Sequence, residues 1–283
     1  MRPMAPIPER HSAFVGSVPG RLLSRWRLGA AAAVVLLAVG CSSTEEPEYV
    51  EQPAEQLYNS AVDSLEAAEY SAAADQLDEV ERQHPYSPWA TKAQLMAAYA
   101  YYQSDEYEES IAALDRFIQL HPAHPDVAYA HYLKGISYYE RISDVERDQQ
   151  MTRQARQSFE ELIARYPTSP YAKDARLKLD LTNDHLAGKE MAIGRYYLRQ
   201  GHYLAAINRF RVVVDSYQTT THVPEALHRL AEAYAALGLE EEARKMAAVL
   251  GHNYPGSEWY IDSYQLVENK QVRPVEKPWY RFW

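Results

Sequence analysis

The sequence contains one cysteine, Cys41, among its 283 residues. A single thiol cannot form a disulfide within the chain, and no second ligand accompanies it to hold a metal ion. The sequence also lacks a glycine-rich phosphate loop, a His-Glu-x-x-His pair and a Gly-x-Ser-x-Gly elbow. These absences predict a binding scaffold and not an enzyme, with no catalytic residue, no metal and no cofactor.

Basic residues are scarce as well, since 29 Lys and Arg stand against 39 Asp and Glu, for a formal net charge of -10. After residue 40 the imbalance is larger, with 24 basic and 38 acidic residues and a net charge of -14. Nucleic-acid binding needs lysine and arginine clustered against phosphates. The composition therefore predicts no nucleic-acid partner.

An apolar run at residues 28–39 is too short to cross a bilayer as a helix in the mature protein. It follows Arg21, Arg25 and Arg27, and a positively charged start before a short apolar core is typical of an export signal. We therefore expect a lipoprotein signal peptide over residues 1–40.

Cys41 follows this run directly, at the end of Leu-Ala-Val-Gly-Cys, and a stretch rich in Ser, Glu and Pro comes after it. The segment resembles a bacterial lipobox, in which the thiol receives a diacylglycerol and the cysteine becomes the N-terminus after cleavage; Ala38 stands where leucine is more usual. The resemblance implies that Cys41 is lipidated and that residues 41–53 form a flexible linker. The other interpretation, a buried inert thiol, fits poorly with the polar residues that follow.

A repeat with an interval of 37 residues organises the rest of the chain. Small residues recur at this interval in the first helix of a helix pair, and a tyrosine lies three positions after most of them. They are Ala61, Ala98 and Gly135, then Gly194 and Ala231, with tyrosines at 101, 138, 197 and 234. The order of small residue, tyrosine and closing proline resembles tetratricopeptide repeats. It predicts an all-α, right-handed α-solenoid of about five helix pairs over residues 54–262; five unrelated hairpins of a bundle would not reproduce the interval.

Two departures from the interval divide the array. Extra charged residues fall between the helices of repeat three, within residues 142–152, and form either a binding face or a solvated loop. Residues 170–200 predict one long helix between repeats three and four. We therefore expect N-terminal repeats with this connecting helix at 54–188, C-terminal repeats at 189–262 and a tail at 263–283.

Tyrosine is used heavily, with 23 Tyr against five Phe. Tyr99, Tyr102 and Tyr132 fall on first helices, which line the concave face in this architecture. A large ring with a hydroxyl suits the docking of extended peptides. Together with Arg116 they are the candidates for binding substrate peptides, and packing between repeats is the alternative role for each tyrosine.

Several short segments carry a resemblance to a known family. They are Ala-Tyr-Ala-Tyr-Tyr at 98–102, Asp-Arg-Phe-Ile at 115–118, His-Pro at 124–125, Tyr-Pro at 166–167, Tyr-Tyr at 196–197 with Gly201, and Asn-Arg at 208–209. With the lipobox and the repeats, these segments resemble the BamD family of the outer-membrane β-barrel assembly machinery. The resemblance implies a lipid-anchored scaffold on the periplasmic face of the outer membrane. Its implied partners are unfolded outer-membrane proteins, the barrel subunit BamA and other assembly lipoproteins.

The resemblance also implies that the C-terminal repeats contact BamA. Arg209 matches the arginine of the family's Asn-Arg pair in repeat four. Where the family has an arginine before the repeat-four glycine, this chain has Gln200, with Arg199 one position earlier. We expect Arg209, Arg199 and Tyr197 to bind the partner, and an ion pair within the chain is the other interpretation for Arg209. The alternative function is a repeat lipoprotein scaffold of cell-envelope or division complexes.

The tail at residues 271–283 differs in character from the acidic chain. Pro274 and Pro278 exclude a continuing helix, and four aromatic residues crowd the last five positions. Four roles are open: a cap over the last repeat, a membrane-interface anchor, docking on another assembly subunit, or mimicry of a barrel strand in the substrate groove.

Overall fold

A computed structural model describes residues 51–268, and within that range the chain forms eleven α-helices and no β-strand. The helices are α1 (Ala54–Glu66), α2 (Tyr70–Gln83), α3 (Pro88–Gln103), α4 (Tyr107–Leu120), α5 (Val127–Glu140), α6 (Gln150–Arg165), α7 (Pro170–Arg199), α8 (Tyr203–Ser216), α9 (Val223–Ala236), α10 (Glu240–Asn253) and α11 (Glu258–Glu268). The expected signal peptide, Cys41, most of the linker and the tail from residue 269 lie outside the described residues.

The helices form five consecutive pairs, from α1 with α2 to α9 with α10, and α11 follows them. Each helix packs against the next one along the chain. The first helices of successive pairs also pack side by side, with α11 at the end of this first-helix row. Contacts are therefore between nearest neighbours, as in a solenoid that needs no single core. The predicted all-α array of five helix pairs is confirmed.

The repeated small residue of each first helix lets the second helix of the same pair approach closely. It is buried at all five positions: Ala61, Ala98, Gly135, Gly194 and Ala231. A Cβ atom added at Gly135 would lie 2.5 Å from Cε1 of Phe159, and one added at Gly194 would overlap the ring of Phe210. Real carbon atoms do not pack this closely, so only glycine fits opposite these buried rings. The 37-residue interval therefore marks a helix–helix contact.

Helices α3 and α7 begin with a serine before a proline. The hydroxyl of Ser87 accepts a hydrogen bond from the backbone N–H of Trp89 at 3.0 Å, and that of Ser169 accepts one from Tyr171 at 3.2 Å. Each serine satisfies a backbone donor that has no partner within the helix, while the proline needs none. These local signals set where two of the first helices start.

The insertion in repeat three is a loop that packs on α7. It occupies residues 141–149 and also lengthens the start of α6. The side-chain amide of Gln149 donates to three loop carbonyls. A ring nitrogen of His185 lies 2.8 Å from the carbonyl oxygen of Ser143, and Lys189 donates to the carbonyl of Glu146 at 2.7 Å. Helix α7 thus holds the inserted loop through contacts to its backbone.

The predicted long helix is confirmed as α7, which runs from Pro170 to Arg199. It packs against α5 and α6 of repeat three and also against α8 and α9. The expected division of the array at residue 188 falls inside this helix.

Helix α11 continues past residue 262, where the array was expected to end, to Glu268, the last residue that the structure describes. The reason is its packing on α9. Ser263 is fully buried and its hydroxyl lies 2.8 Å from Nδ1 of His228, and the ring of Trp259 lies 5.3 Å from the same imidazole. Within residues 51–268, no helix combines the length and apolar character needed to cross a membrane.

Candidate functional site

Five tyrosines meet on the first-helix row and form what we call the tyrosine cluster: Tyr99, Tyr102, Tyr129, Tyr132 and Tyr171. The first two lie on α3, the next two on α5 and the last on α7. Because these three helices pack side by side, residues far apart in the sequence come together. The structure thus gathers three of the four candidates for peptide binding.

The rings of the tyrosine cluster contact each other across helices. Tyr132 and Tyr171 stack with ring centroids 5.3 Å apart, and Tyr129 also lies 5.3 Å from Tyr171. Tyr102 packs edge-on against Tyr107 of α4, with centroids 5.8 Å apart. Stacked and edge-on pairs are the favourable arrangements of aromatic rings. All five rings are partly buried, so each keeps some surface that faces solvent.

Three hydroxyls of the cluster, those of Tyr102, Tyr129 and Tyr132, stay protonated at neutral pH. Burial raises the pKa of Tyr129 to about 12, and neighbouring phenols add to the shift. Burial also raises the pKa of Tyr132, and the hydrogen bond that it donates to Asp174 at 2.7 Å raises it further. Burial likewise raises the pKa of Tyr102. The phenols are therefore neutral hydrogen-bond donors.

Carboxylates border the tyrosine cluster: Asp105, Glu140 and Asp174. Asp105 accepts a hydrogen bond from the hydroxyl of Tyr107 at 2.7 Å, which raises the pKa of that phenol to about 12. Glu140 is exposed and adds to the same shift. A negative border of this kind favours segments that are neutral or carry cations.

Arg116, the fourth candidate, lies on α4, the second helix of repeat two. Its Nη1 is 3.4 Å from Oε2 of Glu81 on α2, and the two side chains are 54% and 24% exposed. The pair therefore joins two second helices. No described contact links Arg116 to the tyrosines, so the structure does not bring this candidate into the cluster.

The three candidates for partner binding lie on α7 and α8. Arg209 forms an ion pair within the chain, with its Nη1 3.1 Å from Oε2 of Glu190, and its side chain is 43% exposed. Arg199 is exposed in the last turn of α7. Tyr197 is half-buried in the core of the C-terminal repeats and packs edge-on against His202, with centroids 6.4 Å apart. The described contacts do not join Arg209 to the other two.

The described part of the chain holds no group of three or more His, Cys, Asp or Glu side chains placed to bind a metal ion. Cys41, the expected lipidation site, lies outside that part.

Sequence reasoning missed Tyr129 and Tyr171. Tyr129 precedes Tyr132 by three positions, and residues three apart are neighbours on a helix surface, so helical spacing could have found it. Tyr171 lies in the part of α7 that precedes the repeat-four register. No periodic signal pointed to it, and only the packing of α7 on α5 places it in the cluster.

Comparison with known proteins identifies the family. A family model for an outer membrane lipoprotein, YfiO, matches residues 50–250. The outer membrane protein assembly factor BamD of Caulobacter vibrioides is 49% identical over 252 residues, which cover 88% of this chain and 83% of that protein. BamD of Rickettsia prowazekii is 47% identical over 244 residues, which cover 86% of this chain and 97% of that one. Among solved structures, the TPR domain of P58(IPK) is 14% identical, with a TM-score of 0.41 over 86% of this chain and 60% of that chain. This chain therefore belongs to the outer membrane lipoprotein family that includes the BamD assembly factors.

Proposed function

We propose that this chain is a scaffold, anchored by lipid to the periplasmic face of the outer membrane, that takes part in the assembly of outer-membrane β-barrel proteins. In that role it binds extended segments of unfolded barrel proteins. It also docks on a BamA-like barrel subunit and on other assembly lipoproteins. The names of its relatives support the role, and no step of the role requires catalysis.

The tyrosine cluster is the observation that carries the substrate-binding proposal. The rings on α5 contact the ring of Tyr171 on α7, and the two tyrosines of α3 pack against the adjoining buried clusters, so the aromatic surface is already arranged before a ligand arrives. Tyrosine has few rotatable bonds, and binding therefore costs little side-chain entropy. In an extended segment every second side chain points to the same side. The ring faces can contact those side chains while the protonated hydroxyls of Tyr102 and Tyr129 donate to backbone carbonyls of the segment; the hydroxyl of Tyr132 donates to Asp174.

The carboxylate border gives this surface a preference among substrates. Asp105, Glu140 and Asp174 repel acidic segments, whereas a segment with aromatic residues and an occasional Lys or Arg is attracted to it. The attraction acts between partly exposed groups and should weaken as salt is added.

Titration of a peptide that copies the aromatic C-terminal strand of an outer-membrane barrel tests this proposal. We expect a dissociation constant in the micromolar range, below about 100 μM. Tyr132→Ala should weaken binding about tenfold, because a central aromatic contact is worth roughly 1–2 kcal/mol. Tyr86→Ala is the matched control, since Tyr86 is 100% exposed and lies outside the cluster. Equal effects of the two variants, or no binding at about 100 μM, would refute the proposal.

Partner docking is proposed for the C-terminal repeats, with Arg209, Arg199 and Tyr197 as the residues involved. The guanidinium of Arg209 is partly exposed beside Glu190. Its planar fork has donors left over, so it can hold Glu190 and a carboxylate of a partner at the same time. Arg199 adds a second exposed cation at the end of α7.

Cys41 is proposed as the site of lipid attachment. In the Cys41→Ser variant the repeats should remain folded, because α1 begins only at Ala54. The variant should leave the membrane fraction, since acyl chains supply membrane affinity at about 0.8 kcal/mol for each buried methylene. Continued sedimentation of the serine variant with outer membranes that lack its partners would show that the lipid is not the anchor.

A further inference from the structure

Repeats four and five expose leucines along the edge where the first helix of a pair turns into the second, and α11 adds one more. We call this set the leucine edge: Leu204, Leu237, Leu239 and Leu266, which are 68%, 39%, 43% and 36% exposed. Leu204 and Leu237 line one shallow depression, together with residues of the α7–α8 turn. The edge therefore continues from repeat four to repeat five.

The same positions are small or polar in the regular N-terminal repeats. Leu237 ends α9 where Ala67 and Ser104 end α1 and α3. Leu239 precedes α10 where Glu69 and Glu106 precede α2 and α4. The turn itself therefore does not require leucine at either position. Since the turn forms without these leucines, the exposed apolar strip indicates a surface that contacts another segment or molecule.

A second depression, of about 260 Å³, extends the leucine edge towards the end of α11. Ala235 and Ala243 contribute small apolar surface to it, and Leu266 and Val267 come from the last turn of α11. Glu240 and Arg244 line it as well, and Nη2 of Arg244 lies 3.5 Å from Oε2 of Glu240. The first turn of α10 carries two further glutamates at 241 and 242. The depression thus combines small apolar surface with the Glu240–Arg244 ion pair, and the last described turn of α11 lies beside it.

We propose that residues 269–283 of this same chain cover the leucine edge. The segment contains four cations and one carboxylate: Lys270, Arg273, Lys277, Arg281 and Glu276. Its aromatic residues are Trp279, Tyr280, Phe282 and Trp283. Aromatic rings match the leucines, and the cations match Glu241 and Glu242 in the first turn of α10, where Glu240 already pairs with Arg244.

Chain length permits this contact. Trp279 lies eleven residues beyond Glu268. An extended segment of that length reaches up to about 36 Å. The prolines at 274 and 278 keep the segment from continuing α11 and favour an extended path. In this way the acidic array receives a terminal cap from its own chain, as the last unit of a repeat array requires.

Amide hydrogen exchange on the full chain, with and without residues 272–283, tests the proposal. The reporters are the backbone N–H groups of Gly238 and Leu239, which donate to Ala235 and Tyr234 at 3.0 and 2.9 Å in the α9–α10 turn. Deletion should speed their exchange about tenfold, because the turn opens more often once its cover is gone. The melting temperature should fall by about 2–4 °C.

A second variant keeps the tail and changes the edge. Leu237→Ser with Leu239→Glu installs the residue types of repeat two, and it should speed amide exchange within residues 272–283. Leu177→Ser with Leu181→Glu is the matched control, since these leucines of α7 are 60% and 56% exposed away from the edge, and it should leave the tail unchanged.

Three results would overturn the proposal. The first is equal exchange at Gly238 and Leu239 with and without the tail. The second is a tail whose exchange is unaffected by the edge variant. The third is a tail that becomes protected only when phosphatidylethanolamine–phosphatidylglycerol vesicles are added, which would make it a membrane anchor.

Discussion

The turn between the two helices of a pair has different residues in repeats one and two than in repeats four and five. In each turn one residue has a positive φ: Ala68 at 59° and Asp105 at 63° in the first two repeats, Gly201 and Gly238 at 74° in the last two. Glycine adopts this conformation without strain, whereas a residue with a Cβ atom does so at a cost. The N-terminal repeats therefore contain a strained turn that the C-terminal repeats avoid.

The contact between the two helices of a pair differs in the same way. Repeat two has Ala98 in its first helix and Leu114 in its second, within one buried cluster. Repeat four has Gly194 and Phe210 at the corresponding positions. One side chain becomes smaller as its neighbour becomes larger, so the helix separation can be kept. The comparison shows that the 37-residue interval marks where two helices pack closely. The sizes of the two facing side chains compensate each other at that contact.

The largest expected effect concerns two arginines, one in each region. Arg116 and Arg209 both lie on second helices and both pair with a glutamate. If Arg209 docks on the partner, Arg209→Leu should weaken the binding free energy for capture of a BamA-like subunit by about 2 kcal/mol or more. The reason is that removal of the guanidinium leaves the opposing carboxylate of that subunit unpaired in the interface. Arg116→Leu should leave that capture unchanged.

Glu190→Gln is the second control in this capture experiment. It removes the carboxylate beside Arg209 but keeps the guanidinium, so capture should persist. Partly exposed ion pairs contribute only about 0–1 kcal/mol to stability, and all three variants should therefore melt within a few degrees of the parent. A fall in melting temperature without loss of capture would assign Arg209 a purely structural role.

The next effect tests the helix contact. Gly194→Ala places a Cβ atom against the buried ring of Phe210, and overpacking of this kind typically costs about 1–3 kcal/mol of unfolding free energy. Phe210→Leu alone leaves a cavity and should also destabilise the protein. The double variant reproduces the alanine–leucine pair of repeat two and should recover most of the loss in urea unfolding.

Gly256→Ala is the control for this cycle, because a Cβ atom there meets no atom within 4 Å. Strict additivity of the two single changes would contradict a size exchange between the helices.

The strained turns predict an effect of opposite sign in the two regions. Ala68→Gly should raise the free energy of unfolding by about 0.5–1 kcal/mol, since relief of the left-handed strain exceeds the entropy that glycine adds to the unfolded chain. Gly238→Ala should lower it by about 1 kcal/mol. Ala67→Gly, at a neighbouring position with φ of -76°, should only destabilise. Destabilisation by Ala68→Gly in chemical unfolding would contradict the comparison.

The smallest effect is a pH dependence that repeat five shares with repeat three, which lies between the two regions. Burial lowers the pKa of His131 on α5 and of His228 on α9 below the usual value of 6.5. The unfolded chain therefore binds protons at these sites before the folded chain does, and stability falls as the pH drops below about 6.5. The fall stops once the pH lies below the pKa of the folded state. NMR titration should place both midpoints below 6.5, and a midpoint at or above 6.5 would contradict this.

Much of the fold could be predicted because its signals are local. The start of α7 after Ser169, its length without an internal proline, and the openings of α2, α4 and α8 at tyrosines each depend on residues within a few positions. The candidate site was predicted less completely. Tyr99, Tyr102 and Tyr132 were identified by their place on first helices. Arg116 lies in the same repeat as Tyr99 and Tyr102 but on its second helix, outside the tyrosine cluster.

Local sequence signals specify the number of helix pairs, their small-residue contacts and the places where the interval is interrupted, because helix starts, helix ends and periodicity are encoded by neighbouring residues. Contacts between helices are what bring Tyr171 to Tyr132, pair Glu190 with Arg209 and extend α11 past residue 262. These contacts join separate helices. They depend on how each helix is rotated and shifted against the next, and packing sets that geometry across the whole first-helix row.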